Sequence, residues 1–187
     1  MMGPFPSIED CGLTETCNMM RENIHIFKED FNKNKHQFND NPEKLGYNST
    51  YGRIDVLAGE GFENTKEVLN QSKEFRRAQY LNKYAGYTFL STTFTVLYPG
   101  GSIRPHYGPS NYKYRIHLCL DIEGEGGLIT PYGTKNWSSG SIFILDDSYL
   151  HSGFYRGTRP RIILMVDVAK PGLHFGHIQP LVDDKNA

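Results

Sequence analysis

At 187 residues the chain is long enough for one hydrophobic core and short for two, so a single domain is expected. Hydrophobic residues make up 38% and aromatics 13%, a globular balance, and 12 Tyr and 11 Phe against 1 Trp suit strands packed on strands. Basic and acidic side chains, 20 against 21, are interspersed and give a formal charge of -1, which leaves no electrostatic footprint for nucleic acid.

Membrane insertion is not expected, because no apolar run approaches the roughly 18 residues that a span needs. Met1 to Asp10 has neither the basic start nor the apolar segment of a secretory signal, so a soluble, cytoplasmic protein is expected. Cys11, Cys17 and Cys119 are few, odd in number and lack metal-finger spacing, which fits a reducing compartment. The sequons Asn48-Ser49-Thr50 and Asn136-Trp137-Ser138 read as polar loop residues.

In chain order, residues 1 to 13 carry Gly3, Pro4, Pro6 and Gly12 without a period and read as an irregular arm. From Thr14 to about Phe38, Met19, Ile24, Phe27 and Phe31 recur at helical intervals and predict one or two helices. Asn39 to Gly52 breaks the pattern. Asn64 to Lys83 then predicts one further helix, capped by Asn64 or Thr65, with Val68, Leu69, Phe75, Ala78 and Leu81 as its buried stripe.

The texture changes after Tyr87. β-branched and aromatic runs at Thr88 to Tyr98, Tyr112 to Ile122, Leu128 to Thr130, Ser141 to Leu145 and Arg161 to Val168 predict short strands. Such spacing argues for an all-β sandwich or barrel with the helices as a layer on one face. The chain therefore divides into a mostly helical support region (1–86), a β core (87–171) and a tail (172–187) within one domain. The Gly124-Glu125-Gly126-Gly127 stretch reads as a hairpin turn. His174 and His177 read as a solvated loop in the tail.

Strand alternation aims the polar side chains. In Tyr112 to Leu120, Lys113, Arg115, His117 and Cys119 share one face and Tyr114, Ile116, Leu118 and Leu120 the other. In the last strand Arg161, Ile163 and Met165 lie opposite Ile162, Leu164 and Val166, and an arginine so placed either snorkels to the rim or meets an anion inside. His106 and His151 are separated as the two histidines of an iron(II) oxygenase are, but the acid usual two positions after the first is replaced by Gly108. Taken singly, each of these residues is more often a hydrogen-bonded or salt-bridged polar group than a ligand.

Taken together they carry a resemblance. His106-Tyr107-Gly108-Pro109-Ser110-Asn111, Arg115-Ile116-His117, Asp146-Asp147-Ser148 with His151, Arg161, and Val166-Asp167-Val168 resemble the aspartyl/asparaginyl β-hydroxylase family over about Phe94 to Pro171. The resemblance implies a mainly β fold, a double-stranded β-helix (jelly-roll, cupin-like) core with an N-terminal helical layer. It implies an enzyme that uses Fe(II), 2-oxoglutarate and dioxygen, with His106 and His151 as metal ligands. It assigns Arg161 to the distal carboxylate of 2-oxoglutarate, Arg115 and His117 to the carboxylate near the metal, and Thr95 to a hydroxyl contact with the co-substrate. Asp147, four residues before His151, would hold a metal-bound water or orient a ligand.

Hydroxylation of an unactivated carbon is the expected reaction. The substrate is expected to be a small molecule, an amino acid or a peptidyl Asp/Asn-type group, with no nucleic-acid or membrane partner. Small molecules are favoured, because the chain lacks the targeting segment and accessory domains of animal relatives. Lys113, Arg104 and Arg159 lie near the motifs and could meet a substrate carboxylate, though solvated surface is the default for each. Trp137 and Tyr132 either line a substrate pocket or cover a sheet edge. Two other readings are a halogenase or other oxidative variant exploiting the position opened by Gly108, and a non-catalytic cupin-like binding module.

Overall fold

The computed structural model describes residues 2–39, 51–85 and 90–171. Among these, five helices precede or flank the strands: α1 (Thr14–Glu22), α2 (Ile24–Asn34), α3 (His36–Asn39), α4 (Glu63–Leu69) and α5 (Lys73–Ala85). Nine strands are β1 (Tyr51–Asp55), β2 (Thr92–Leu97), β3 (Ser102–His106), β4 (Lys113–Asp121), β5 (Glu125–Thr130), β6 (Gly133–Asn136), β7 (Ile142–Leu145), β8 (His151–Arg156) and β9 (Arg161–Ala169). They form two antiparallel sheets, ordered β1-β2-β9-β4-β7 and β3-β8-β5-β6. This is the expected double-stranded β-helix with a helical layer.

Burial explains the layering. The outer face of the larger sheet presents Phe94, Ile116, Leu118, Leu164 and Val166 to Met20, Phe27, Phe62 and Phe75 of the helical region and its connections. Phe94 is the hinge of that contact, with ring centroids 5.6 Å from Phe31 and 5.3 Å from Phe62. Each such ring or aliphatic group contributes roughly 1.5–3 kcal/mol when taken out of water. The inner face carries Leu97, Cys119 and Ile163 against Leu128, Trp137 and Tyr155. The two strand faces separate as the alternation of β4 and β9 requires, and the polar members of the inner face are left between the sheets.

Several local expectations are corrected. The helix expected over Asn64 to Lys83 is two helices, because Ser72 caps a new start by accepting the Phe75 amide at 3.1 Å. Thr65 lies inside the first turn of α4, where Asp30 of α2 accepts both its amide (2.7 Å) and its hydroxyl (2.8 Å). β1 was not expected, since Gly52 and Ile54 are its buried positions and give too weak an apolar signal. β3, β6 and β8 were missed for a related reason: they lie in the smaller sheet, where Pro105, an exposed β6 and Gly153 blur the pattern.

The Gly124 turn does not make a hairpin. It carries the chain from β4 in one sheet to β5 in the other, with Gly124 at φ 98° and Gly126 and Gly127 already in the strand. The N-terminal arm has no regular structure, as expected, yet it is tied down. Pro4 accepts the Asp146 amide at 2.8 Å, Met2 accepts the Tyr149 hydroxyl at 2.8 Å, and Phe5 meets Phe143 edge-on at 5.8 Å. All three cysteines are buried and unpaired, and burial pushes the Cys119 and Cys11 thiols up to about 11, which keeps them unreactive. The first residues of the strand expected from Thr88, together with His174 and His177, lie outside the described residues.

Candidate functional site

A cavity of about 160 Å³ opens between the two sheets. His106, His151, Arg115, His117, Arg161 and Thr95, six of the seven side chains expected to form the site, line it together. Register brings them there. Thr95 stands opposite Ile163 across β2 and β9, and Arg161 lies two positions from Ile163 on the same inner face. Arg115 and His117 project from β4 beside Asp167 and Met165 of β9.

The two histidines face one another. His106 and His151 are directly paired between β3 and β8, after a bulge that follows Ile103, and their rings stand 4.3 Å apart. His106 Nδ1 lies 2.7 Å from the Arg104 carbonyl and His151 Nδ1 lies 2.8 Å from the Tyr149 carbonyl. A carbonyl only accepts, so each Nδ1 carries the hydrogen and the lone pair sits on Nε2. This is the tautomer and the orienting contact that a metal-binding imidazole needs. Burial, with His106 beside it, holds the pKa of His151 below its ordinary value, which favours the neutral ligating form. Among the described residues no set of three His, Cys, Asp or Glu side chains converges, so the pair stands without a third protein ligand.

Gly108 explains why. A Cβ on this glycine would come within 2.3 Å of the Asp147 carboxylate carbon, and the Gly108 amide donates to the Asp147 carbonyl at 2.6 Å. The room beside residue 108 belongs to Asp147, which is 1% exposed and cannot swing into water. Gly108→Ala is therefore expected to lower stability by about 1–3 kcal/mol through overpacking. Chemical denaturation with an unchanged midpoint would show that Asp147 moves aside freely.

Arg161 lies at the cavity floor, 1% exposed. Its Nη2 donates to the Thr95 hydroxyl at 3.2 Å, its guanidinium lies 4.3 Å from the Trp137 ring, and its Nε has no partner. No carboxylate among the described residues pairs with it, and burial pulls its pKa down to about 10. A buried, unneutralised guanidinium is costly unless an anion completes it. Close by, His117 is 4% exposed, stacked on Phe143 at 5.0 Å, and neither ring nitrogen has a partner. Burial first, then the charges of Arg115 and Arg161, hold its pKa well below the usual value, so it is neutral, with one donor and one acceptor directed at no protein group.

Arg115 lines the cavity, but its donor fork is engaged by protein acids. Asp167 takes its Nε at 2.7 Å and its Nη2 at 3.0 Å, while Nη1 is 3.9 Å from Asp147. Lys113, expected at the solvated surface, is 1% exposed and bridges Asp167 at 3.1 Å and Asp147 at 3.3 Å. These four charges form a neutral buried group beneath the cavity. Asp147 keeps one oxygen, Oδ1, without a partner. Asp146 makes the turn, accepting the Ser148 amide and hydroxyl and the Lys170 ammonium. Arg159 pairs with Asp121 and Glu123 and does not line the cavity.

Trp137 lines the cavity, whereas Tyr132 is 74% exposed and packs edge-on against Tyr149. Two residues were given no role by the sequence reading, Asp167, quoted there only within Val166-Asp167-Val168, and Arg53. Asp167 was visible as an acid interrupting the apolar run Ile162 to Val168. Arg53 lines the cavity from β1, a strand the sequence did not reveal.

The sequence profile of the family described as aspartyl/asparaginyl beta-hydroxylase matches residues 15–171. The chain belongs to this family. The match runs from α1 through the end of β9, so the helical layer belongs to the family unit along with the strands that carry the site. Aspartate beta-hydroxylase domain-containing protein 2 of Xenopus tropicalis is 38% identical over 96 residues, 50% of this chain and 26% of that protein. Human aspartyl/asparaginyl beta-hydroxylase is 26% identical over 175 residues, 91% of this chain and 23% of that protein. The chain thus spans about a quarter of the length of these relatives. Among solved structures, a predicted oxalate decarboxylase from Thermotoga maritima aligns with TM-score 0.35 and 20% identity, over 42% of this chain and 65% of that one. The Schizosaccharomyces pombe Cnp3 cupin domain aligns with TM-score 0.37 and 11% identity, over 43% of this chain and 56% of that one.

Proposed function

We propose that this β-hydroxylase-family chain is an iron(II)- and 2-oxoglutarate-dependent dioxygenase that hydroxylates an unactivated carbon. The observation that carries this reading is Arg161: a buried cation without a counter-charge, on the same cavity wall as an oriented imidazole pair. His106 and His151 would hold the iron through Nε2. Bound there, iron with 2-oxoglutarate supplies the oxidising chemistry, in which dioxygen is consumed, 2-oxoglutarate leaves as succinate and carbon dioxide, and a C–H carbon gains a hydroxyl.

The chain's own residues bind and orient. Arg161 receives the distal carboxylate, and Thr95 holds the guanidinium through its hydroxyl while Trp137 covers the face and keeps water from it. His117 offers its N–H to the carboxylate end nearer the histidines. Arg115, locked by Asp167, contributes a fixed positive charge there more than a free fork. Leu128, Ile103 and Met165 supply apolar wall. The substrate is a small molecule, an amino acid or a peptidyl Asp/Asn-type group. Halogenation is disfavoured because the room beside Gly108 is filled by a carboxylate, which would repel chloride.

Arg161→Ala is expected to raise the 2-oxoglutarate concentration needed for iron-dependent succinate release on the order of 10²-fold, as the loss of a charged hydrogen-bonded contact dictates. Succinate can be followed by NMR in the absence of any primary substrate. An unchanged requirement would mean that Arg161 serves packing against Trp137.

No helix among the described residues is long and apolar enough to cross a membrane. Action in the cytoplasm is part of this proposal and rests on the reduced, buried cysteines.

A further inference from the structure

The cavity is lined by three arginines and three histidines and, among the described residues, by no carboxylate. Charge accounting separates the arginines. Arg115 is neutralised by the twofold contact with Asp167, and Lys113 accompanies Asp147 in the same buried group. Arg161 at the floor is matched by the distal carboxylate of 2-oxoglutarate in the function proposed above. Arg53 remains. It projects from edge strand β1 directly opposite Thr95, the residue whose hydroxyl holds Arg161, and so shares the inner face with Tyr51 at the outer end of the cavity. It is exposed, and among the described residues no hydrogen bond or ion pair engages it. Of the three cations that the sequence placed nearest the motifs, Lys113 and Arg159 are committed to acids elsewhere and Arg104 does not line the cavity.

We propose that Arg53 is the subsite for a carboxylate of the primary substrate, so that the molecule oxidised is an acid whose carboxylate seats at the cavity mouth while its reacting carbon lies toward the histidines. The inference rests on the function proposed above, because it assigns the floor cation to the co-substrate and the mouth cation to the substrate. A guanidinium on an edge strand presents its donor fork to a planar carboxylate in either of two orientations, and a neutral amide cannot satisfy it equally. The site thereby selects acids over their carboxamides. Arg53 has no part in holding metal or 2-oxoglutarate.

The test uses the full chain loaded with zinc, which is redox-inert, and saturated with 2-oxoglutarate. Probe binding is read by ligand-observed NMR for N-acetyl-L-aspartate, its carboxamide counterpart, and a capped aspartyl pentapeptide with its asparaginyl twin. In the wild type the acid of at least one pair is expected to bind on the order of tenfold more tightly than its amide. In Arg53→Gln the preference is lost while the 2-oxoglutarate dissociation constant stays within about twofold, a change too small for the loss of a charged contact. Preference confined to the free acid identifies a small-molecule substrate, and preference confined to the pentapeptide identifies a peptide. Equal binding of acid and amide, or an acid preference that survives in Arg53→Gln, overturns the subsite. Acid binding that appears only without 2-oxoglutarate places the anion at Arg161 and overturns it too. Failure of 2-oxoglutarate to bind, with acid preference intact and dependent on Arg53, would instead refute the co-substrate assignment and leave the mouth subsite standing.

Discussion

Replacing His151 by alanine is expected to remove metal binding and metal-dependent succinate release altogether, while the fold survives. Among the described residues two imidazoles converge and no set of three potential ligands forms around them, so each supplies half of the ligand set found there. Loss of an orienting partner alone typically costs 10–100-fold in metal affinity, so loss of a ligand from a pair should exceed about 100-fold. The side chain faces a cavity and its Nδ1 serves only the Tyr149 carbonyl, so truncation leaves room next to existing space and not a sealed void. Isothermal titration with a divalent metal, alongside a melting curve, separates the two effects. Wild-type metal affinity in His151→Ala would remove the metal site from this position; a collapsed melting transition would show that the imidazole is structural. His106→Ala is the parallel case, because its Nδ1 is held by Arg104 in the same way.

Asp167→Asn should be the most destabilising single change near the site. The carboxylate is 1% exposed and accepts from Arg115 twice, from Lys113, and from the amide and hydroxyl of Ser91. An amide keeps the shape but leaves Lys113 and Arg115 with Asp147 as their remaining acid. Breaking a buried pair in this way costs about 3–5 kcal/mol, equivalent to a fall in Tm of roughly 6–20 °C for a chain of this size.

The same contacts give a pH signature. Burial by itself would raise the Asp167 carboxyl, but the Arg115 charge and hydrogen bonds, then Lys113, overcome it and hold the carboxyl far below the usual range. A depressed folded-state pKa means that folding favours the ionised form. The stabilisation is then fully present above the unfolded carboxyl's value of about 3.9 and is lost as pH falls from there toward the folded value. Wild-type stability should drop steeply below about pH 4, and Asp167→Asn should show a shallower acid limb from a lower starting point. Identical acid limbs in urea titrations of the two proteins would mean that Asp167 is not the group whose ionisation stabilises the fold.

The amino-acid sequence by itself determined the strand-rich half, the helical layer, and the direction of the key side chains. β4 is long, central and apolar on alternate positions, so period-two alternation aimed Arg115 and His117 at one face. The continuous apolar run of β9 left Arg161 open between rim and interior until the assembled sheets put it in the same cavity. The histidine pair and Gly108 were readable because a motif of fixed spacing survives without knowledge of the fold. What alternation does not carry is partnership. Whether Lys113 meets solvent or Asp147 depends on which strand lies beside β4 and on the β7–β8 connection reaching back over it, contacts that span many residues of chain.

Tertiary structure alone decided three things. It showed β1, whose five residues contain a glycine and too few apolar side chains to announce a strand, and with it Arg53. It placed Asp147 in the room that Gly108 leaves, a reciprocal fit between a loop and a distant turn that has no sequence period. And it divided four arginines and lysines of similar local context into two that are neutralised, Lys113 and Arg115, and two that are not, Arg53 and Arg161. Charge compensation is settled by distances of a few ångströms between strands, because Coulomb energy in a buried site changes by several kcal/mol over that range. Sequence separation says nothing about such distances, and so the cations left to meet substrate and co-substrate became visible only once the sheets were assembled.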